Sequence, residues 1–166
     1  MGLSPEIKEG NMEIKIQSAT LKNLKDIQNL NHQLCIKENK EFDATINKDY
    51  PIQKSGEKYF KERIKKDFAW VAIINGKVVG YLVGAVIGIE EYRNVSKLAE
   101  AENGFVIEEY RSKGIGTRLL QEFVKWSKSN GAKRIRAVAS AQNARAVELY
   151  RREGFKDYNL TLEKEI

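Results

Sequence analysis

Apolar and polar residues alternate through EIKIQ at residues 13–17, the period of a strand with one buried face. Thr20 then stands as an N-cap, and Leu21, Leu24, Ile27, Leu30 and Leu34 follow at helical spacing. Residues 37–56 are polar and carry Asp43, Tyr50 and Pro51, the pattern of a loop with a ragged helical piece. Residues 57–66 have the pattern of a short helix. The run FAWVAIINGKVVGYLVGAVIG holds two strands joined at Asn75-Gly76, the strongest short-range hairpin signal.

After a second polar loop at 90–97, residues 97–107 read as a strand. Gly104 inside it marks a bulge or a place where something lies close to the backbone. A helix then places Ile115, Leu119, Phe123 and Trp126 on one face and ends at Gly131. Residues 134–139 predict a strand, 143–153 a helix, and 155–162 a last alternating strand. No repeat or linker divides the 166 residues, so a single mixed α/β domain is expected, with an early hairpin and a late βαβ unit. The opening MGLSPEIKEG is polar and precedes a second methionine, Met12. Residues 1–11 are therefore expected to be a disordered tail or an extension, and 12–166 the domain.

Composition narrows the classes. A hydrophobic fraction of 42% and a charged fraction of 31% are those of an ordinary globular protein. The net charge of +6 and the pI near 9.3 invite an anionic partner. The basic residues are nonetheless scattered, with no basic run and no interleaved aromatics, so nucleic acid is not the expected partner. The most apolar run, 78–89, contains Gly80, Gly84 and Gly88 and is too short to span a bilayer. Cys35 is the one cysteine; with no secretory pattern at the start, it points to the cytoplasm.

The candidate chemistry begins at EEYRSKGIGTRLL, residues 108–120. Two glycines one residue apart at a helix start let a bulky group approach the backbone, and the free N–H groups there favour negative charge. The stretch lacks the Lys-Ser/Thr ending of a phosphate loop and the third glycine of a dinucleotide site. Further on lies NARAVELYRREGF, residues 143–155. Together the two stretches resemble the GNAT superfamily of N-acetyltransferases. Its signature is Arg/Gln-x-x-Gly-x-Gly/Ala, followed by Asn-x-x-Ala-x-x-x-Tyr-x-x-x-Gly-Phe. Arg111, Gly114, Gly116, Asn143, Ala146, Tyr150, Gly154 and Phe155 fill every fixed position.

The resemblance implies the GNAT (acyl-CoA N-acyltransferase) fold, a mixed, mostly antiparallel sheet with helices on both faces. It implies acetyl-CoA as co-substrate, no metal, and transfer of acetyl to a primary amine by direct attack in a ternary complex. Backbone N–H groups of Arg111, Ser112, Lys113, Gly114, Ile115, Gly116 and Thr117 would hold the pyrophosphate. Backbone groups of Phe105, Val106 and Ile107 would pair with pantetheine, one N–H polarising the thioester carbonyl. Arg152 would reach a phosphate, and Asn143 and Ala146 would touch the cofactor, Asn143 also capping its helix. Tyr150 would protonate the leaving thiolate.

In the histone-acetylating branch a strand glutamate takes the amine's proton, and Glu100 falls at the matching place, with Glu102 on the same strand face. The branch that acetylates N-termini of ribosomal proteins often carries a glutamate five residues before the asparagine; here that position is Val138. His32 and Cys35 lie three apart on the first helix, without a third orienting residue for a covalent route. The amine is left open among small molecules, polyamines, antibiotics, lysines and protein N-termini, and a homodimer is left open too. The competing reading is an acyl-CoA-binding sensor on the same fold that performs no turnover.

Overall fold

The computed structural model describes residues 13–166; the tail expected over 1–11 lies outside them. Five strands form one sheet in the order β1 (Lys15–Ser18), β2 (Ala69–Ile74), β3 (Lys77–Ile87), β4 (Leu98–Val106) and β5 (Arg134–Ala137). Neighbours are antiparallel except β4 and β5, which run parallel. The parallel pair requires a crossover, and helix α3 (Ile115–Ser129) supplies it. Between β2 and β3, Asn75 and Gly76 take φ of 49° and 76°. Positive φ at both central residues is the requirement of a tight hairpin turn with the right twist.

Helices cover both faces. Ile115, Leu119, Leu120 and Phe123 of α3 pack on Trp70, Leu82, Ala99 and Ala101. On the other face, α1 (Leu24–Glu41) and α2 (Lys54–Lys65) bring Ile27, Leu30, Phe60 and Ile64 against Val71, Tyr81 and Val83. Each such side chain contributes about 1.5–3 kcal/mol of burial. Gly84 sets how closely α3 approaches: a Cβ there would stand 2.4 Å from Cε2 of Phe123 and 2.6 Å from the carbonyl oxygen of Glu100. Helix α4 (Ala144–Arg152) follows β5, and Tyr150 and Phe155 pack against the α3 side of the core.

Three expectations are adjusted. The loop assigned to 37–56 is shorter, because α1 continues to Glu41 and α2 begins at Lys54. The helical piece between them is a turn at Tyr50–Ile52 that buries Pro51, whose carbonyl accepts from Gln28 at 2.8 Å. The irregularity near Gly104 lies two residues earlier: Val83 faces Asn103 and Gly84 faces Ala101, which leaves Glu102 as the bulged residue. Finally, the strand predicted at 155–162 does not form. The segment pairs with no strand, and Tyr158, Leu160 and Leu162 are exposed. Alternation supplies a strand's faces, but only a partner edge satisfies its backbone, and β5 remains the edge of the sheet. Among the described residues, no helix is long and apolar enough to cross a membrane.

Candidate functional site

The site begins where β4 outlasts β5. The two strands pair from Leu98↔Arg134 to Ala101↔Ala137, and β4 then runs on to Val106 with no partner on that side. Antiparallel alternation decides which of its backbone groups face the gap. Ile107 donates its N–H to the Val79 oxygen at 2.9 Å, and Phe105 sits opposite Tyr81 two residues back, on the same hydrogen-bonding side. Phe105 and Ile107 are thus committed to β3. Gly104 and Val106 turn their polar groups toward the gap, where Nε of Arg111 donates to the Val106 oxygen at 2.8 Å. The Arg111 guanidinium lies 5.1 Å from the centre of the Phe105 ring.

Beyond β4 the chain makes the glycine-containing turn. Ser112 and Gly114 take φ of 62° and 75°, and Gly114 starts α3 with no side chain capping the first N–H groups. Left-handed residues beside a helix start present a run of convergent N–H donors. A non-glycine residue held there costs about 1–2 kcal/mol, a strain typical of functional turns. A Cβ on Gly114 would meet nothing within 4 Å. Ile115 is 1% exposed, so it offers the turn its backbone alone. A Cβ on Gly116 would come within 3.4 Å of Cδ2 of Leu149, so α4 packs tightly on this helix start. Nη2 of Arg145 reaches Oγ of Ser112 at 3.4 Å. Burial, and then the neighbouring Arg145, hold the Arg111 guanidinium below its ordinary range. Arg111, Lys113 and Arg145 therefore surround a bare helix start, an arrangement that favours an anion.

Helix α4 forms the opposite wall. Oδ1 of Asn143 accepts the Ala146 N–H at 3.2 Å, so the asparagine caps the helix and occupies that amide. Arg152 is exposed and sits about 10 Å further along the helix than Arg145, next to Glu153, which pairs with Gln121 at 3.3 Å. The arginine at the turn is thus Arg145, which sequence reasoning missed because it occupies a variable position of the motif. The Tyr150 ring lies 5.4 Å from that of Phe155. Burial, with a smaller contribution from the charge of Glu38, pushes its phenol above the ordinary value. The hydroxyl therefore keeps its proton at neutral pH and can donate it.

The carboxylates on β4 are engaged. Nε of Arg136 donates to Oε2 of Glu100 at 2.5 Å, and Nη1 of the same arginine meets Glu90 at 3.4 Å. Glu102 takes two hydrogen bonds from Arg63, at 2.6 and 2.7 Å, and one from the Tyr59 hydroxyl at 2.6 Å. Val138 is 69% exposed and brings no acid or base to its position. Burial, and then the charge of Glu38, push the Cys35 thiol up to about 11, which keeps it protonated and a poor nucleophile. His32 pairs with Asp49 at 3.0 Å rather than with Cys35.

A sheet whose parallel pair opens beside a cationic helix start is the architecture of the acyl-CoA N-acyltransferase class. A model described as the acetyltransferase (GNAT) family matches residues 32–155, and the chain belongs to that family. It is similar to an N-alpha-acetyltransferase of Sulfurisphaera tokodaii, 30% identical over 159 residues covering 92% of this chain and 85% of the relative. It is 31% identical over 112 residues to an uncharacterized N-acetyltransferase of Methanocaldococcus jannaschii, covering 65% of this chain but only about half, 48%, of that longer protein. Among solved structures, the PaiA N-acetyltransferase of Thermoplasma acidophilum in complex with coenzyme A superposes with a TM-score of 0.74 at 19% identity, over 90% of this chain and 94% of that one. The protein is accordingly an acetyl-CoA-dependent N-acetyltransferase.

Proposed function

We propose that the chain transfers acetyl from acetyl-CoA to the α-amino group of a peptide or protein, by direct attack within a ternary complex. The observation that carries the choice of amine is the similarity to the Sulfurisphaera N-alpha-acetyltransferase across 92% of the chain. The residues present fit the co-substrate. N–H groups from Ser112 to Thr117 receive the pyrophosphate, the Arg111 N–H expected among them being spent on the Glu108 oxygen at 3.1 Å, and Lys113 and Arg145 neutralise its charge. Gly104 and Val106, turned to the gap, offer backbone partners to pantetheine, and an N–H there polarises the thioester carbonyl.

The amine nitrogen bonds to the acetyl carbon, the carbon–sulfur bond breaks, and Tyr150 hands its proton to the departing thiolate. Glu100 accepts a proton from the amine only by leaving Arg136. The test is acetyl-CoA turnover with a lysine-containing peptide whose N-terminus is free, against the same peptide with that terminus blocked. Product on the free α-amine alone is the expected result. Equal acetylation of the blocked peptide, or none of either, overturns the reading.

A further inference from the structure

Helix α1 carries Ile27, Asn31, Cys35 and Glu38 along one stripe. Its buried end is fixed under the sheet. Nδ2 of Asn31 donates to the Tyr81 hydroxyl at 2.6 Å and to Oδ1 of Asn103 at 3.2 Å. One turn on, Sγ of Cys35 meets Oδ1 of Asn31 at 3.6 Å. Near the other end of α1, the charge of Glu41 acts on Arg111. Helix α1 packs on β3 and β4, and half-buried Glu38 lies one turn beyond Cys35 on the same stripe. From there its charge reaches the hydroxyl of Tyr150, on the wall formed by α4. Among the described residues Glu38 has neither an ion pair nor a side-chain hydrogen bond, whereas Glu90, Glu100 and Glu102 all hold arginines.

We propose that Glu38 is the proton acceptor for the attacking amine, facing Tyr150 as the proton donor across the acetyl group. The inference rests on the acetyltransferase reading above. As nitrogen bonds to the acetyl carbon, one N–H proton passes to the Glu38 carboxylate while carbon–sulfur cleavage draws the Tyr150 proton to sulfur. The proton held by Glu38 then returns to the Tyr150 oxygen, directly or through water, and both groups are reset. Burial lifts Glu38 above the ordinary carboxylate range against the opposing charge of Lys37, toward the range where a base works best. The groups facing it are Cys35 and Lys37 on α1, Tyr81 on β3 and Tyr150 on α4. A base must be ionised, so the rate falls as pH drops through this raised value.

The test compares the parent with Glu38→Gln and Glu38→Asp, using saturating acetyl-CoA and a peptide with a free N-terminus across pH. Glu38→Gln should lower kcat about a hundredfold or more and lose the acidic limb of the profile, with acetyl-CoA affinity unchanged in calorimetry. Glu38→Asp should keep that limb at a reduced kcat. An acidic limb that survives in Glu38→Gln, or a loss confined to KM, overturns the assignment while leaving the acetyltransferase reading intact. So does an aspartate variant no better than the glutamine one. A parent that acetylates no amine overturns both.

Discussion

Ile107 gives its N–H to the carbonyl oxygen of Val79 at 2.9 Å, and that bond sets the orientation of everything around it on β4. Because neighbouring residues of an antiparallel strand point their polar groups opposite ways, Val106 is turned from β3 toward the gap that opens beyond Ala101↔Ala137. Three residues expected to contact pantetheine as a group therefore divide into one that faces the cleft and two that hold the sheet.

The cationic turn admits a sharp perturbation. Gly114→Glu places bulk and negative charge at a left-handed position, φ 75°, with no atom within 4 Å of the new Cβ. Nothing in the core is touched. Acetyl-CoA affinity measured by calorimetry should fall at least about a hundredfold, about 2.7 kcal/mol, while far-ultraviolet dichroism keeps the parent spectrum. Unchanged affinity contradicts the pyrophosphate assignment.

Tyr150→Phe removes a proton donor without emptying its space. Turnover should slow about a hundredfold with acetyl-CoA affinity intact. An acid works only while protonated, and burial raises this phenol. The parent should therefore stay active on the alkaline side up to and beyond the ordinary phenol value of about 10. Parent-like turnover in the phenylalanine variant removes Tyr150 from the chemistry.

Glu100 ties β4 to β5 through Arg136 just before the strands part. Glu100→Gln leaves Arg136 short of its partner and should lower stability by about 1–2 kcal/mol, between the values for exposed and buried pairs. Its kcat should fall by far less than the roughly hundredfold that loss of a base produces. Denaturant titration and steady-state rates separate the two effects. A base-sized loss of kcat at parental stability would return the role to Glu100.

Most of this architecture is legible in the chain, because its signals are local. The Asn75-Gly76 turn, the α3 stripe and the paired motifs each specify their geometry within a few residues. What escaped depends on distant partners. The strand expected at 155–162 has the right alternation but pairs with no other strand, and β5 stays the edge of the sheet. The last turn of α1, from Lys37 to Glu41, is polar enough to pass for a loop, since none of its side chains is fully buried. Glu38 disappeared with that turn. The stripe formed by Asn31, Cys35 and Glu38 on a single face was the signal that could have found it.

Packing of α3 on the sheet can be probed away from the chemistry. Gly84→Ala puts a methyl group 2.4 Å from Phe123, and the backbone oxygen of Glu100 blocks its retreat. Overpacking of this kind costs about 1–3 kcal/mol. Urea titration should show a lower midpoint with an unchanged slope; a parental midpoint would mean that the helix shifts freely.

The central claim is that acetyl-CoA lies along the open edge of β4 with its pyrophosphate at the 111–117 turn. Amide hydrogen exchange, residue by residue with and without acetyl-CoA, tests it most directly. The account predicts new protection at Val106 and at the N–H groups of Ser112 to Thr117, and little change at Ile107, which is already bonded to Val79. Protection that bypasses Val106 and the turn while appearing elsewhere would contradict it.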